Sequence, residues 1–255
     1  MPTIQNGGIR LHYEVHGTGH PVLLLHGATV SFALNYVMSG WVGAMNAHGL
    51  QVIGLDFRGH GASDKPHEAA AYSTVALASD AMAVLDHLGV AQAAVVGYSM
   101  GTPVTLQLLQ SAPERFTRAA LVATGDGLIG VPPRTFARVL PPLGRVAQSP
   151  VYPAELPSSL AAYWNFIEQT RGDRAAFVAL SQGQFPAITP AEAGAIRTPT
   201  LVVSGELDPV LGTGPQTAHA LADGEYLEIP GADHFVLAGD PVVQAAVGRF
   251  LSQTA

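Results

Sequence analysis

Ten histidines, nineteen carboxylates, a single lysine and no cysteine limit the covalent chemistry open to this chain. Without cysteine, thiolate nucleophiles, disulfides, iron–sulfur clusters and thiolate zinc sites are excluded. Lys65 lies in the turn-like stretch Asp64-Lys65-Pro66. That is a solvated setting, which argues against Schiff-base chemistry. What remains is a hydroxyl activated by histidine, and Ser99 is the best placed. Gly97-Tyr98-Ser99-Met100-Gly101 fits the pattern G-x-S-x-G, follows the apolar run Ala93 to Val96 and leads into the helical stretch Val104 to Gln110. A serine in that context stands on a sharp strand-to-helix turn with its Oγ clear of the sheet. The helix N-terminus beneath it favours developing negative charge. The flanking glycines avoid collisions that a side chain would make at such a turn. Pro103 falls in the first helical turn, where a missing N–H is tolerated.

An alcohol nucleophile needs a base, and the base needs an orienting acid. His234 lies in Gly231-Ala232-Asp233-His234-Phe235, and Asp208 in Gly205-Glu206-Leu207-Asp208-Pro209. Each follows a strand-like run, and the chain order Ser, Asp, His suits this turn type. Glu206 and Asp126 compete with Asp208 for the acid role. An oxyanion needs two backbone N–H donors, and the spacing predicts those of Met100 and Ala28. Ala28 sits in the His26-Gly27-Ala28-Thr29 loop, where Gly27 lets the chain turn close to the site. His26, at a buried strand end, reads as structural.

Positioning these groups requires a layered scaffold. Ile9 to Val15 alternates in a strand-like way. Continuous apolar runs at Pro21 to Leu25, Val52 to Leu55, Ala93 to Val96, Ala119 to Ala123, Thr200 to Val203 and Tyr226 to Ile229 fit strands buried on both faces. Helical spacing over Ser73 to Leu88, closed by Gly89, and over Val242 to Leu251 separates or follows them. Alternation of this kind predicts an α/β fold with a parallel sheet and helices on both faces.

Residues 127–190 break the rhythm, with 9 of the 19 prolines and 7 of the 18 aromatics. They read as a lid insertion in a core formed by 1–126 and 191–255, with short helices at Ser159 to Gln169 and Arg174 to Gln182. Leu128, Phe136, Leu140, Tyr163, Trp164, Phe166 and Phe185 are candidates to line an apolar substrate pocket, with Thr29 beside them. The lid's five arginines against three acids make a carboxylate-bearing substrate conceivable, although solvated arginines are the simpler reading.

Composition sets the outer limits. Over 255 residues, 48% are hydrophobic and 12% charged, with a net charge of −7. This is a folded composition with a sizeable core. The acidic balance argues against nucleic-acid partners. No basic stretch followed by an apolar run opens the chain, and no window of about 18 apolar residues occurs. The expectation is a soluble cytoplasmic protein, monomer or homodimer, with a small-molecule substrate and no membrane partner.

Taken together, His26-Gly27, Asp56-Phe57-Arg58-Gly59-His60-Gly61-Ala62-Ser63, Gly97-Tyr98-Ser99-Met100-Gly101, Gly205-Glu206-Leu207-Asp208 and Gly231-Ala232-Asp233-His234 resemble the α/β-hydrolase superfamily. The chain looks most like its small, lidded esterase and lactonase members, from about residue 9 to 251. The resemblance implies a doubly wound, mostly parallel eight-stranded sheet, a catalytic set Ser99, Asp208 and His234, no cofactor and no metal. It also makes Arg58 and His60 loop-shaping residues. Ser99 stands where epoxide hydrolases and haloalkane dehalogenases carry Asp, which disfavours both. The single lysine is badly placed for a hydroxynitrile lyase. Ala28 stands where cofactor-free haloperoxidases often carry an aromatic, which weakens that option. Thr102 replaces a common small Gly and puts tight packing behind the serine in question. The implied activity is hydrolysis of an ester or lactone. The alternatives are a perhydrolase or haloperoxidase on the same residues, or a ligand receptor of the same fold.

Overall fold

The computed structural model describes residues 1–130, 136–149, 164–165, 167–170 and 172–253. Eight strands form one sheet: β1 (Thr3–Asn6), β2 (Ile9–His16), β3 (His20–Leu25), β4 (Leu50–Leu55), β5 (Ala93–Tyr98), β6 (Phe116–Val122), β7 (Thr200–Gly205) and β8 (Gly224–Ile229). Their spatial order is β1-β2-β4-β3-β5-β6-β7-β8. β2 runs antiparallel to both β1 and β4, and every later pairing is parallel. The six runs predicted as buried strands are β3 to β8, but β8 is not buried on both faces: at the sheet edge it leaves Glu225 and Glu228 exposed and Tyr226 and Leu227 half-buried, and buries Ile229. The alternating stretch is β2. The short hydrophilic β1 carries no apolar pattern and is not legible in sequence.

Alternate residues of the central strands feed two separate cores, because successive side chains leave a sheet on opposite faces. Leu23, Leu25, Ile53, Leu55, Val95 and Leu121 pack on one face. There they meet α2 (Thr74–His87) through Leu77, Val84 and Leu85, and α3 (Gly101–Ser111) through Leu106 and Leu109. Val22, Leu24, Val52, Val96, Val122 and Val203 pack on the other. Their partners are Trp41 and Met45 of α1 (Trp41–Ala47), and Val243, Val247 and Phe250 of α8 (Pro241–Leu251). Burial on both faces is what turns these strands into continuous apolar runs rather than alternating ones. Among the described residues no helix is long and apolar enough to cross a membrane.

Between β6 and β7 the chain leaves the layered pattern. α4 (Phe136–Gln148), α5 (Arg174–Ser181) and α6 (Pro190–Ala195) lie in this stretch, and residues 167–170 are helical. α4 carries Pro141 and Pro142 within it, which hides it from a sequence reading that treats proline as a breaker. α7 (Pro215–Ala220) then links β7 to β8.

Candidate active site

Ser99 sits where β5 turns into α3, at φ +49°, a conformation most side chains avoid. The turn is held by backbone and side chains alike. The Ser99 N–H donates to Val122 O at 2.9 Å, and the Thr102 N–H donates to Ser99 O at 2.9 Å. Thr102 Oγ1 adds a second bond to Ser99 O at 2.6 Å. Thr102 therefore does not loosen the turn, as its size suggested; its hydroxyl satisfies the carbonyl that the turn exposes. Gly101 is needed because a Cβ there would overlap Leu25 O, and at Gly97 a Cβ would overlap Gly101 O and Thr105.

Asp208 and His234 follow the ends of β7 and β8 and meet Ser99 over the carboxyl end of the sheet. His234 Nδ1 lies 2.7 Å from Asp208 Oδ2, and His234 Nε2 lies 2.9 Å from Ser99 Oγ. An ionised carboxylate only accepts, so Nδ1 carries the proton and Nε2 is left to accept from the serine hydroxyl. The other carboxylate oxygen, Asp208 Oδ1, accepts the N–H groups of Val210 and Leu211 at 2.7 and 2.9 Å. Burial pushes the Asp208 carboxyl up, but the His234 bond and charge with these two N–H donors outweigh it, and the pKa is lowered. The acid thus stays charged beneath the imidazole.

The two rival acids are engaged elsewhere. Glu206 accepts the Gly231 N–H at 2.8 Å, and Asp126 accepts the Gln216 and Thr217 N–H groups at the start of α7. Asp233 accepts from Phe235 and Val236 and shapes the His234 loop. Tyr98, one residue before the serine, donates its hydroxyl to His234 O at 2.6 Å. This tie between the serine turn and the histidine loop escaped the sequence reading. The Tyr98 phenol is pushed up by burial and by Asp208, so it remains a donor.

The loop after β3 passes beside the serine: a Cβ on Gly27 would stand 3.5 Å from Ser99 Cβ. Among the described residues no acceptor meets the N–H of Ala28 or of Met100, the two predicted donors. His26, fully buried, accepts the Phe57 N–H at Nε2 and donates from Nδ1 to Gly27 O. Arg58 forms a buried double contact with Asp80 on α2, with bonds of 2.6 and 2.7 Å. Lys65 is less solvated than its turn implied; its Nζ donates to Gly61 O and Ser63 O.

A cavity of about 260 Å³ opens at Ser99 and His234, walled by Val30, Leu34, Phe235 and Ala238, with Gln169 and Thr170 reaching it from the 127–190 segment. Among the described residues, Thr29, Leu128, Leu140, Trp164 and Phe185 do not line it. Leu128 borders a separate cavity with Pro103 and Leu106, and Phe185 and Leu140 are sealed in the core. Thr29 borders an adjoining polar cavity with Lys65 and Arg174. Trp164 is half-buried, with the Arg174 guanidinium 5.7 Å over its ring. Tyr163, Phe166 and the Phe136 side chain lie outside the described residues. Leu128, Leu140 and Phe185 are large and apolar, which suits a pocket wall, but the same property buries them in the core. Val30, Leu34, Phe235 and Ala238 carried no signal beyond lying near the motifs.

Comparison with known proteins adds the family context. A family model described as the alpha/beta hydrolase fold matches residues 20–241. A putative non-heme bromoperoxidase, BpoC, of Mycobacterium tuberculosis is 29% identical over 249 residues, spanning 89% of this chain and 91% of that protein. Bifunctional epoxide hydrolase 2 of Sus scrofa is 32% identical over 118 residues, and the match covers 46% of this chain but only 20% of that protein. Among solved structures, Est816, described as an N-acyl homoserine lactone degrading enzyme, is 28% identical with a TM-score of 0.75, covering 97% of this chain and 99% of that one. The enol-lactonase from Burkholderia xenovorans LB400 shares the fold, at 23% identity and a TM-score of 0.79 over 99% of this chain and 100% of that one.

Proposed function

The chain belongs to the alpha/beta hydrolase fold family, and from that premise we propose that it is a serine hydrolase cleaving a carboxylic ester or lactone through an acyl-enzyme on Ser99. The observation that carries this reading is the unbroken hydrogen-bond path from Asp208 through His234 to Ser99, opening on an apolar cavity.

In the first half-reaction Ser99 Oγ attacks the substrate carbonyl while His234 Nε2 takes its proton. Asp208 holds the Nδ1–H tautomer and stabilises the imidazolium without becoming protonated. The carbonyl oxygen gathers negative charge and rests on the N–H groups of Ala28 and Met100, a pair of which each typically contributes about 10²–10³ in turnover. His234 then protonates the leaving alkoxide as the carbonyl re-forms. In the second half-reaction the same imidazole deprotonates water, which attacks the acyl carbon and frees the acid and Ser99. With a lactone the acyl and alkoxide ends belong to one ring, and the product is a hydroxy acid.

The apolar wall of Val30, Leu34, Phe235 and Ala238 suits an alkyl or aryl acyl group. Gln169 and Thr170 give the 127–190 segment the part of a cap over that group. The test is labelling with a fluorophosphonate followed by an ester and lactone panel. Modification at Ser99 and turnover on the panel are expected, both absent in Ser99→Ala. An unlabelled Ser99 in active protein would overturn the reading. The near full-length match to a putative bromoperoxidase keeps perhydrolysis on the same residues as the second reading. Peracid-dependent halide oxidation faster than ester hydrolysis would favour it.

A further inference from the structure

Three consecutive backbone N–H groups follow β3, at Gly27, Ala28 and Thr29, and the fold treats them differently. The Gly27 N–H donates to Asn35 Oδ1 at 2.8 Å, from the turn Ala33–Val37. The Thr29 N–H donates to His60 Nε2 at 3.2 Å, from the loop after β4. Among the described residues the middle group, on Ala28, meets no acceptor and can serve a ligand. Thr29 also adopts φ +66°, a left-handed conformation that a β-branched residue avoids. Such a residue persists only where its surroundings over-determine it. Two bonds do so here: its N–H on His60, and its Oγ1 on Ala28 O at 2.6 Å.

We propose that His60 is a positioning residue, whose Nε2 holds the left-handed Thr29 turn and thereby aims the Ala28 N–H at the oxyanion formed on Ser99. The proposal rests on the serine-hydrolase reading above and deepens it. The imidazole suits the task because its two nitrogens bridge two loops. Nδ1 donates to Arg58 O at 3.1 Å within its own loop, which fixes the tautomer and leaves Nε2 as an acceptor toward the other. The ring is 5% exposed and stands edge-on to His26, with centroids 4.9 Å apart. A protonated Nε2 could not accept the Thr29 N–H, so the pin requires a neutral ring. Burial, reinforced by His26 and by Lys65 on the same loop, lowers the His60 pKa to about 3. Asp56, the acid of this neighbourhood, spends its carboxylate on the Phe32 and Ala62 N–H groups. The ring is therefore neutral throughout the range in which an ordinary histidine base titrates.

The test compares His60→Leu, which removes the acceptor, with His60→Gln, whose amide oxygen can replace it. In His60→Leu, kcat on a p-nitrophenyl ester should fall on the order of 10- to 100-fold, as for a donor misplaced by about 1 Å. KM should stay within about twofold, because the lost interaction belongs to the transition state. Affinity for a trifluoromethyl ketone, which forms a tetrahedral adduct with the serine, should fall in parallel with kcat. His60→Gln should recover most of both. A folded His60→Leu protein with unchanged kcat and ketone affinity would overturn the proposal, as would a folded His60→Gln protein no better than His60→Leu. Should both variants misfold, histidine ¹⁵N spectra of the unaltered protein decide: His60 Nε2 unprotonated from about pH 8 to 5 supports the pin, and protonation within that range overturns it. An unaltered protein that neither labels at Ser99 nor hydrolyses any ester overturns the serine-hydrolase reading and the pin with it. The results above overturn the pin alone.

Discussion

Two groups of buried imidazoles lie within this one site, and their surroundings give them opposite characters. His234 is 3% exposed, His26 0% and His60 5%, so burial alone does not separate them. His234 faces a carboxylate on one nitrogen and a hydroxyl on the other. His26 and His60 face backbone on both, donating from Nδ1 to a carbonyl and accepting an N–H at Nε2. Desolvation lowers the pKa of both, at His26 against the opposing pull of the Asp56 charge. In the proposed reaction Asp208, bonded to Nδ1, stabilises the His234 cation formed as the serine attacks. The lesson is that a buried histidine becomes a base only when something stabilises its cation; otherwise it is a rigid, neutral connector.

The sharpest way to break the comparison is to remove the base. His234→Gln or Ser99→Ala should lower kcat by about 10⁶, read by single-turnover acylation, because the two act as a unit. Next, Asp208→Asn should cost about 10⁴ by leaving the wrong tautomer in place. Asp126→Asn should change kcat little, since its oxygen still accepts the α7 N–H groups. A large loss only in Asp126→Asn would reverse the assignment of the acid. Tyr98→Phe removes the donor to His234 O and should cost about tenfold in kcat, together with about 1–3 kcal/mol of stability for the unsatisfied carbonyl. The last prediction concerns acid stability. His60 is lowered from 6.5 to about 3 on folding, so the unfolded chain binds the extra proton between those values. The stability this group allows is present above 6.5 and is lost as pH falls toward 3. Urea titrations of His60→Gln should show a shallower decline over that window, by up to about 1.4 kcal/mol per pH unit. Asp208 acts lower on the scale. Its contribution is present above its usual value of 3.8 and is lost as pH falls through its still lower folded value.

Much of the site was readable before any coordinates. Ser99 announced itself because a glycine-flanked serine between an apolar strand and a helix has few other uses. Asp208 and His234 were found because parallel strands end in loops at one edge of the sheet, and both residues follow such ends. The lining of the cavity beside Ser99 was not readable in the same way. Leu128 and Phe185 are as apolar as Leu34 and Phe235, yet the former pack into the interior and the latter face the cavity. Residue type records that a side chain avoids water, not which apolar neighbour it meets. Thr102 shows the same limit from the other side. As a type it looked too large, whereas in place its hydroxyl caps Ser99 O.

The sequence by itself determined the strand and helix alternation and marked Ser99, His234 and a short list of carboxylates as candidates. Those follow from short-range rules: hydrophobic period, turn chemistry and the few residue types able to do acyl transfer. Only the tertiary structure decided which of Asp208, Glu206 and Asp126 serves His234. It also decided which apolar residues wall the cavity, and that Tyr98 bonds the His234 loop while Asn35 and His60 bond the loop after β3. These depend on hydrogen bonds of a few ångströms between segments 8 to 136 positions apart, and such meetings are set by packing of the whole sheet rather than by any local pattern.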